Sequence, residues 1–237
     1  MARLGGGLWR QVLASALLVA VLGGGCSSTF QARKAVPSGF LGDYSQLRPG
    51  TGDEALLVYF NPQADFKKYT GLMIDPIRMY AASPDSDLAK VPREDQQRLV
   101  NYFDATLREH LKKDCQIVEK PGPDVIRLRV AITEAEHSNV VLDTVSTLLP
   151  IAIATSALQT VALGSSMAVG KVGVEFEVLD SVTGERLAAA VDARVGRKIT
   201  GNFDKFNSWR AAEDSFDYWA ERLQRRVREI RGKTTAM

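Results

Sequence analysis

The sequence predicts an α+β domain: a mixed or antiparallel sheet of about five strands with two amphipathic helices on one face. Three observations predict it. Apolar and polar residues alternate with period two over residues 126–133 and 172–195, apolar stripes of period 3.6 run over 93–113 and 208–231, and strands and helices are grouped rather than regularly interleaved. Residues 55–61 (ALLVYFN) and 72–80 (LMIDPIRMY) are short, apolar and aromatic-rich, bounded by Gly, Pro and Asp, as strands are. Pro76 has no amide hydrogen, so the second of these must lie at an edge or bend there. Leu99, Val100, Phe103, Leu107 and Leu111 then share one face of a helix closed by Lys112 and Lys113, cations suited to that end of the helix dipole. Ile126, Leu128, Val130 and Ile132 alternate with Arg127, Arg129, Ala131 and Thr133 in a strand with one buried face. Val172, Val174, Phe176 and Val178 alternate with Glu175 and Glu177, and after residues 181–184 the chain returns through Leu187, Ala189, Val191, Ala193 and Val195. This is a hairpin in which Gly184 is expected to supply a positive φ. Arg127 and Arg129 are expected to pair with Glu175 and Glu177 on a solvent-facing surface. The last helix carries Trp209, Ala212, Phe216, Trp219, Leu223, Val227 and Ile230 on one stripe.

Ahead of this domain, Arg3 and Arg10 precede an uncharged run, Val12 to Leu22, and three glycines. A basic start, a short apolar run and a small-residue exit form a secretory signal peptide over residues 1–25. Eleven helical residues rise only about 17 Å, well short of the roughly 30 Å hydrocarbon core, so the run is a targeting segment and not a resident span. It stops at Cys26. Residues 26–38 (CSSTFQARKAVPS) are polar, small and without period, and are expected to be a lipidated cysteine and a flexible tether. A single domain spans 39–231, interrupted by an uncharged insertion at 144–170, and 232–237 is a C-terminal tail.

Leu22, Gly23, Gly24, Gly25 and Cys26 resemble the lipobox of bacterial lipoproteins. The resemblance implies diacylglycerol on the Cys26 sulfur, cleavage before it and acylation of the new amine; Ser27 implies sorting to the outer membrane, facing the periplasm. Durable anchoring takes more than one acyl chain, which fits that chemistry. Within the domain, Gly39, Phe40 and Leu41, then Asp43, Tyr44, Ser45, Leu47 and Pro49, closely resemble the opening of a bacterial lipoprotein family of unknown function. Residues 69–76 (YTGLMIDP), 126–133 (IRLRVAIT) and 180–190 (DSVTGERLAAA) extend the likeness, which covers residues 38 to about 223. Phe40, Leu41 and Tyr44 are expected to cap the core, with a partner-docking motif as the other reading. The DSVTGE turn is also similar, at the level of fold, to lipoproteins of the curli-export-pore and penicillin-binding-protein-activator type.

The whole chain has 30 Lys plus Arg and 28 Asp plus Glu; removal of residues 1–25 takes away Arg3 and Arg10 and no acid, leaving 28 of each sign. A neutral mature chain has no global attraction for nucleic acid. The second cysteine, Cys115, has no disulfide partner once Cys26 is acylated, so a packed core must hold the fold.

The candidates for chemistry are few. His110 and His137 stand in no metal-ligand spacing; Glu134, Glu136 and His137 supply suitable donors, but alternation sends His137 to the opposite face from the two glutamates. Gly164, Ser165, Ser166, Met167 and Ala168 imitate a nucleophile elbow without the strand that should precede it. Asp75 suits an ion pair with Arg78. Cys115 suits packing, and Arg222, Arg225, Arg226, Arg228 and Arg231 form a basic helix end that is either solvated or in contact with lipid phosphate. No catalytic residues, metal or cofactor are expected.

Residues 144–170 carry no charge. Pro150 suits a helix start and Gly164 its end, about 14 residues or roughly 21 Å. Ala152, Ser156, Thr160, Gly164 and Ala168 recur every fourth position, the spacing that lets helices approach closely in lipid. They are candidates for self-association, or for contact with membrane or an envelope protein. The expected function is a non-catalytic, outer-membrane-anchored envelope accessory or scaffold. The alternatives are an oligomeric membrane-inserting or export-associated subunit using 144–170, and an envelope enzyme of unknown chemistry.

Overall fold

A mixed sheet of nine strands and three α-helices is formed by residues 29–136, 170–196 and 209–232, which the computed structural model describes. The strands are β1 (Thr29–Gln31), β2 (Arg48–Pro49), β3 (Leu57–Phe60), β4 (Gly71–Ile74), β5 (Arg78–Met79), β6 (Gln116–Ile117), β7 (Val125–Ala135), β8 (Lys171–Asp180) and β9 (Arg186–Gly196). The helices are α1 (Asp87–Lys90), α2 (Arg93–Leu111) and α3 (Arg210–Ile230). The order is β2-β3-β9-β8-β7-β4-β6, with β1 beside β9 and β5 beside β7. β4 and β5 run parallel to β7, as strands joined through a long helical crossover do. The expected bend at Pro76 is the gap between β4 and β5, both of which pair with β7. The five expected strands are all present; the additional ones are two or three residues long, too short to show alternation.

α2 and α3 cover one face. Leu99, Phe103 and Leu107 are fully buried, and Phe103 stacks on Phe216 of α3 at 4.3 Å between ring centroids. Phe103 also meets Phe176 of β8 edge-on at 6.2 Å. Val172, Val174 and Phe176 join this core from the sheet, so the expected stripes and the expected strand face meet. The hairpin is also as expected: Gly184 has φ +73°, and its N–H donates to the Asp180 carbonyl at 3.0 Å.

Two expectations about the sheet and its cover fail. Residues 29–31, placed by sequence in the tether, form a strand antiparallel to β9, with Thr29 opposite Gly196. Arg194, itself buried, fixes that strand by donating to the Thr29 hydroxyl at 2.8 Å and the Thr29 carbonyl at 2.7 Å. The surface expected to face solvent is instead covered by residues 38–47, whose Phe40 and Leu41 are buried against Ala131, Ala189 and Val191.

Candidate functional site

The covered rear face follows from period two. With Val174 and Phe176 turned to the helices, Glu175 and Glu177 turn the other way, beside Val191 and Ala189 of β9. Val191 and Ala189 are apolar on the face that should be wet, so something must cover them. The strap of residues 38–47 does, and the two glutamates hold it. Glu175, fully buried, accepts from the Ser38 amide at 2.7 Å and from the Tyr44 hydroxyl at 2.6 Å. The Tyr44 hydroxyl in turn accepts from the Gly39 amide at 2.8 Å and the Leu41 amide at 3.3 Å. Burial and its bond to Glu175 raise the Tyr44 phenol above its ordinary value.

Glu177 accepts from Arg129 and, at 2.9 Å, from Nε of Arg186. Arg186 spends its other nitrogens on the strap, donating to the carbonyls of Asp43 and Leu41 at 2.7 Å each. The Arg129 guanidinium lies over the Phe40 ring at 4.9 Å. The Gly-Phe-Leu and Asp-Tyr-Ser phrases are thus a capping segment, as the core-capping reading expects. Each carboxylate here accepts from two donors of its own chain, which suits holding the strap in place.

The expected ladder of ion pairs forms only in part. Register places Arg129 opposite Glu177, but Glu175 opposite Ala131 and Arg127 opposite Leu179. Arg127 instead forks onto Asp75, with Nε at 2.9 Å and Nη2 at 2.8 Å, because β4 ends beside it and bends at Pro76. Asp75 therefore pairs with Arg127 and not with Arg78.

At the hairpin turn, Asp180 accepts from the amides of Thr183 (2.9 Å) and Val182 (3.0 Å) and from the Tyr69 hydroxyl (2.8 Å). The Thr183 amide first, then the Tyr69 hydroxyl, hold its carboxyl well below the usual range. Asp192, within β9, plays a similar part, accepting from Trp219 Nε1 at 2.8 Å, from Gln31 at 2.8 Å and from the Leu56 amide at 3.3 Å. One buried carboxylate thereby joins α3, β1 and the approach to β3.

The basic end of α3 is largely engaged within the domain. Arg222 and Arg226 lie 3.5 and 3.1 Å from Asp53, Arg228 lies 2.8 Å from Asp114, and Arg231 donates to the carbonyls of Tyr69, Thr70 and Asp114. These four are half-buried and engaged by groups of the domain, and Arg225 is exposed. His110 lies 3.3 Å from Gln224, and Glu134 pairs with Lys171 at 2.5 Å. Half-burial raises the Glu136 carboxyl, and no cluster suited to a metal occurs among the described residues. Cys26, His137, the elbow-like 164–168 stretch and the spaced residues Ala152, Ser156, Thr160, Gly164 and Ala168 lie outside the described residues.

Between the sheet and the C-terminal half of α3 lies a cavity of about 180 Å³, lined by Leu72, Ile126, Phe176, Cys115, Leu223 and Val227, with Arg226 and Arg231 supplying charge. Its size compares with apolar cavities of ~150 Å³ that hold one small aromatic ring. Its walls offer dispersion and burial to an apolar group. Among the described residues no helix is long and apolar enough to cross a membrane.

These features define one α+β domain whose sheet is faced by helices on one side and by a motif-bearing strap on the other. The chain belongs to the DUF3313 family of proteins of unknown function, whose profile matches residues 36–223, from the strap into α3. No curated protein matches it in sequence. Among solved structures, the PelC dodecamer from Paraburkholderia phytofirmans is similar at 14% identity, over 73% of this chain and 93% of that one, with a TM-score of 0.33. A minor lipoprotein from Acinetobacter baumannii is similar at 13% identity, over 69% and 93%, with a TM-score of 0.36.

Proposed function

We propose that the protein is a lipoprotein of the outer membrane, facing the periplasm, that serves as a non-catalytic envelope accessory or scaffold. The observation that carries this reading is Cys26, placed after an eleven-residue apolar run and three glycines and only three residues before the first strand of the domain. A cysteine at that junction has its chemical use in carrying lipid, because the segment before it is too short to span a bilayer and the charge-balanced domain has little general affinity for one. The non-catalytic part is supported by where the carboxylates go: Glu175, Glu177, Asp180 and Asp192 are each bound to two or more donors that hold strap, turn and edge strand in place.

Cys26→Ala tests the anchor. The variant is expected to lose incorporation of radiolabelled palmitate and to leave the outer-membrane fraction; equal labelling of both proteins would refute the reading. A second reading, self-association or membrane insertion through 144–170, draws support from the sheet. Glu136 and Gly170, which bracket residues 137–169, directly follow β7 and precede β8 at adjacent strand ends, and the Glu136 amide donates to the Lys171 carbonyl at 2.8 Å.

A further inference from the structure

Strand register gathers four chain ends at one end of the sheet. Thr29, the first residue of β1, is opposite Gly196, the last of β9; Lys171, the first of β8, is opposite Val195; and Ala135, the last of β7, is opposite Val172. The β8–β9 turn stands at the other end, a ten-residue strand away, or about 30 Å at ~3.3 Å per residue. An extended chain covers at most ~3.6 Å per residue, so the three steps from Cys26 to Thr29 reach no further than about 11 Å. Had the whole of residues 26–38 been a tether, the reach would have been about four times greater.

We infer that the end of the sheet formed by the start of β1, the end of β9, the start of β8 and the end of β7 is apposed to the phospholipid surface, and that the β8–β9 turn points away from it. The inference rests on the lipid-anchored reading of Cys26 and adds an orientation to it. Two further observations fit a lipid surface as the occupant. Phe30 is 47% exposed between buried Thr29 and Ala32, an aromatic ring within four residues of the acyl chains, where interfacial aromatics are favoured. The first charges after the anchor, Arg33 and Lys34, are both exposed cations, the sign that anionic headgroups attract.

The test uses the full-length acylated protein, with Cys115→Ser, in vesicles of phosphatidylethanolamine and phosphatidylglycerol carrying a headgroup-level quencher. A fluorophore is placed through Phe30→Cys, through Ser28→Cys, which leaves β1 untouched, or through Val182→Cys in the turn, where the side chain is 63% exposed. Quenching is expected to be several-fold stronger at 28 and 30 than at 182, and a long Gly-Ser spacer inserted between Ser28 and Thr29 is expected to remove the difference at position 30 while vesicle binding persists. Equal quenching at 30 and 182 in vesicle-bound, acylated protein would overturn the orientation alone. Protein that carries no added lipid mass on Cys26 and does not float with vesicles would overturn the anchor reading, and the orientation with it.

Discussion

Removing one oxygen atom, in Tyr44→Phe, isolates the bond on which the strap depends. The phenyl ring keeps its packing while three hydrogen bonds vanish: the one given to Glu175 at 2.6 Å and those taken from the amides of Gly39 and Leu41. Gly39 is exposed and water replaces its partner, so that loss is small. Glu175 has no exposed surface, so water cannot replace the hydroxyl at its Oε2 without the strap lifting. A buried acceptor left without its donor costs about 1–3 kcal/mol, and the variant is therefore expected to lose about 2 kcal/mol. In a domain of this size that lowers Tm by roughly 4–8 °C. Urea unfolding followed by tryptophan fluorescence reads the change, since Trp209 and Trp219 are buried in the helical layer across the sheet from the strap. A double-mutant cycle with Glu175→Gln should return a coupling above about 0.5 kcal/mol. A midpoint unchanged from wild type, or additivity in the cycle, would refute the claim that Tyr44 and Glu175 fasten the strap.

Three further outcomes are expected. Gly184→Val should destabilise the domain by more than about 1 kcal/mol, because the φ of +73° is costly for a β-branched residue even though a Cβ there meets nothing within 4 Å; an unchanged melting temperature would contradict this. Asp180, its folded-state pKa depressed, contributes stability that is complete above its ordinary value of 3.8 and is lost as pH falls below it, since the unfolded chain takes the proton first. Asp180→Asn should therefore flatten the acid limb of a stability-against-pH curve, and parallel curves would count against it. Gly164→Asp should leave the purified domain folded by circular dichroism while removing crosslinked species in cells; global unfolding would place residues 144–170 in the core.

The strands and helices that build the helical core were legible because each is long enough to show its period. Phe103, Phe216 and Phe176 announce their faces from sequence, and they meet. The rear face was harder to read. Glu175 and Glu177 look like solvent-facing charges when β8 is taken alone; the signal against that was Ala189 and Val191 on the same side of the neighbouring strand, which needed a cover. β1 was not legible at all. A three-residue strand carries no period, and what fixes it is Arg194, 165 residues away in sequence. Arg127 was misassigned for a related reason: alternation gives the face, but only the register gives the neighbour, and the register turned on where β4 ends.

The two ends of the sheet also divide the molecule's capacities. The cavity beside α3 is lined by Ile126, Val178 and Ala188, which pair near the β8–β9 turn. From Ala188 to Gly196 is eight residues along β9, or about 26 Å, so a domain anchored by its β1 end holds this cavity well clear of the bilayer. In the proposed orientation a lipid diffusing within the membrane stays about that distance from it. In that arrangement an apolar group enters the cavity from the aqueous side, either free or presented by another protein. The short anchor has the complementary effect at the other end. If Cys26 carries the proposed lipid, about 11 Å of slack keeps the domain at the membrane surface, and a partner meets it there. On the proposed function, the turn end would face the periplasm and the anchored end would face lipid or neighbouring copies in the same plane. Variants that act on self-association should therefore cluster at the β7, β8 and β9 ends near Thr29, and those that act on periplasmic contacts around Val182 and the cavity.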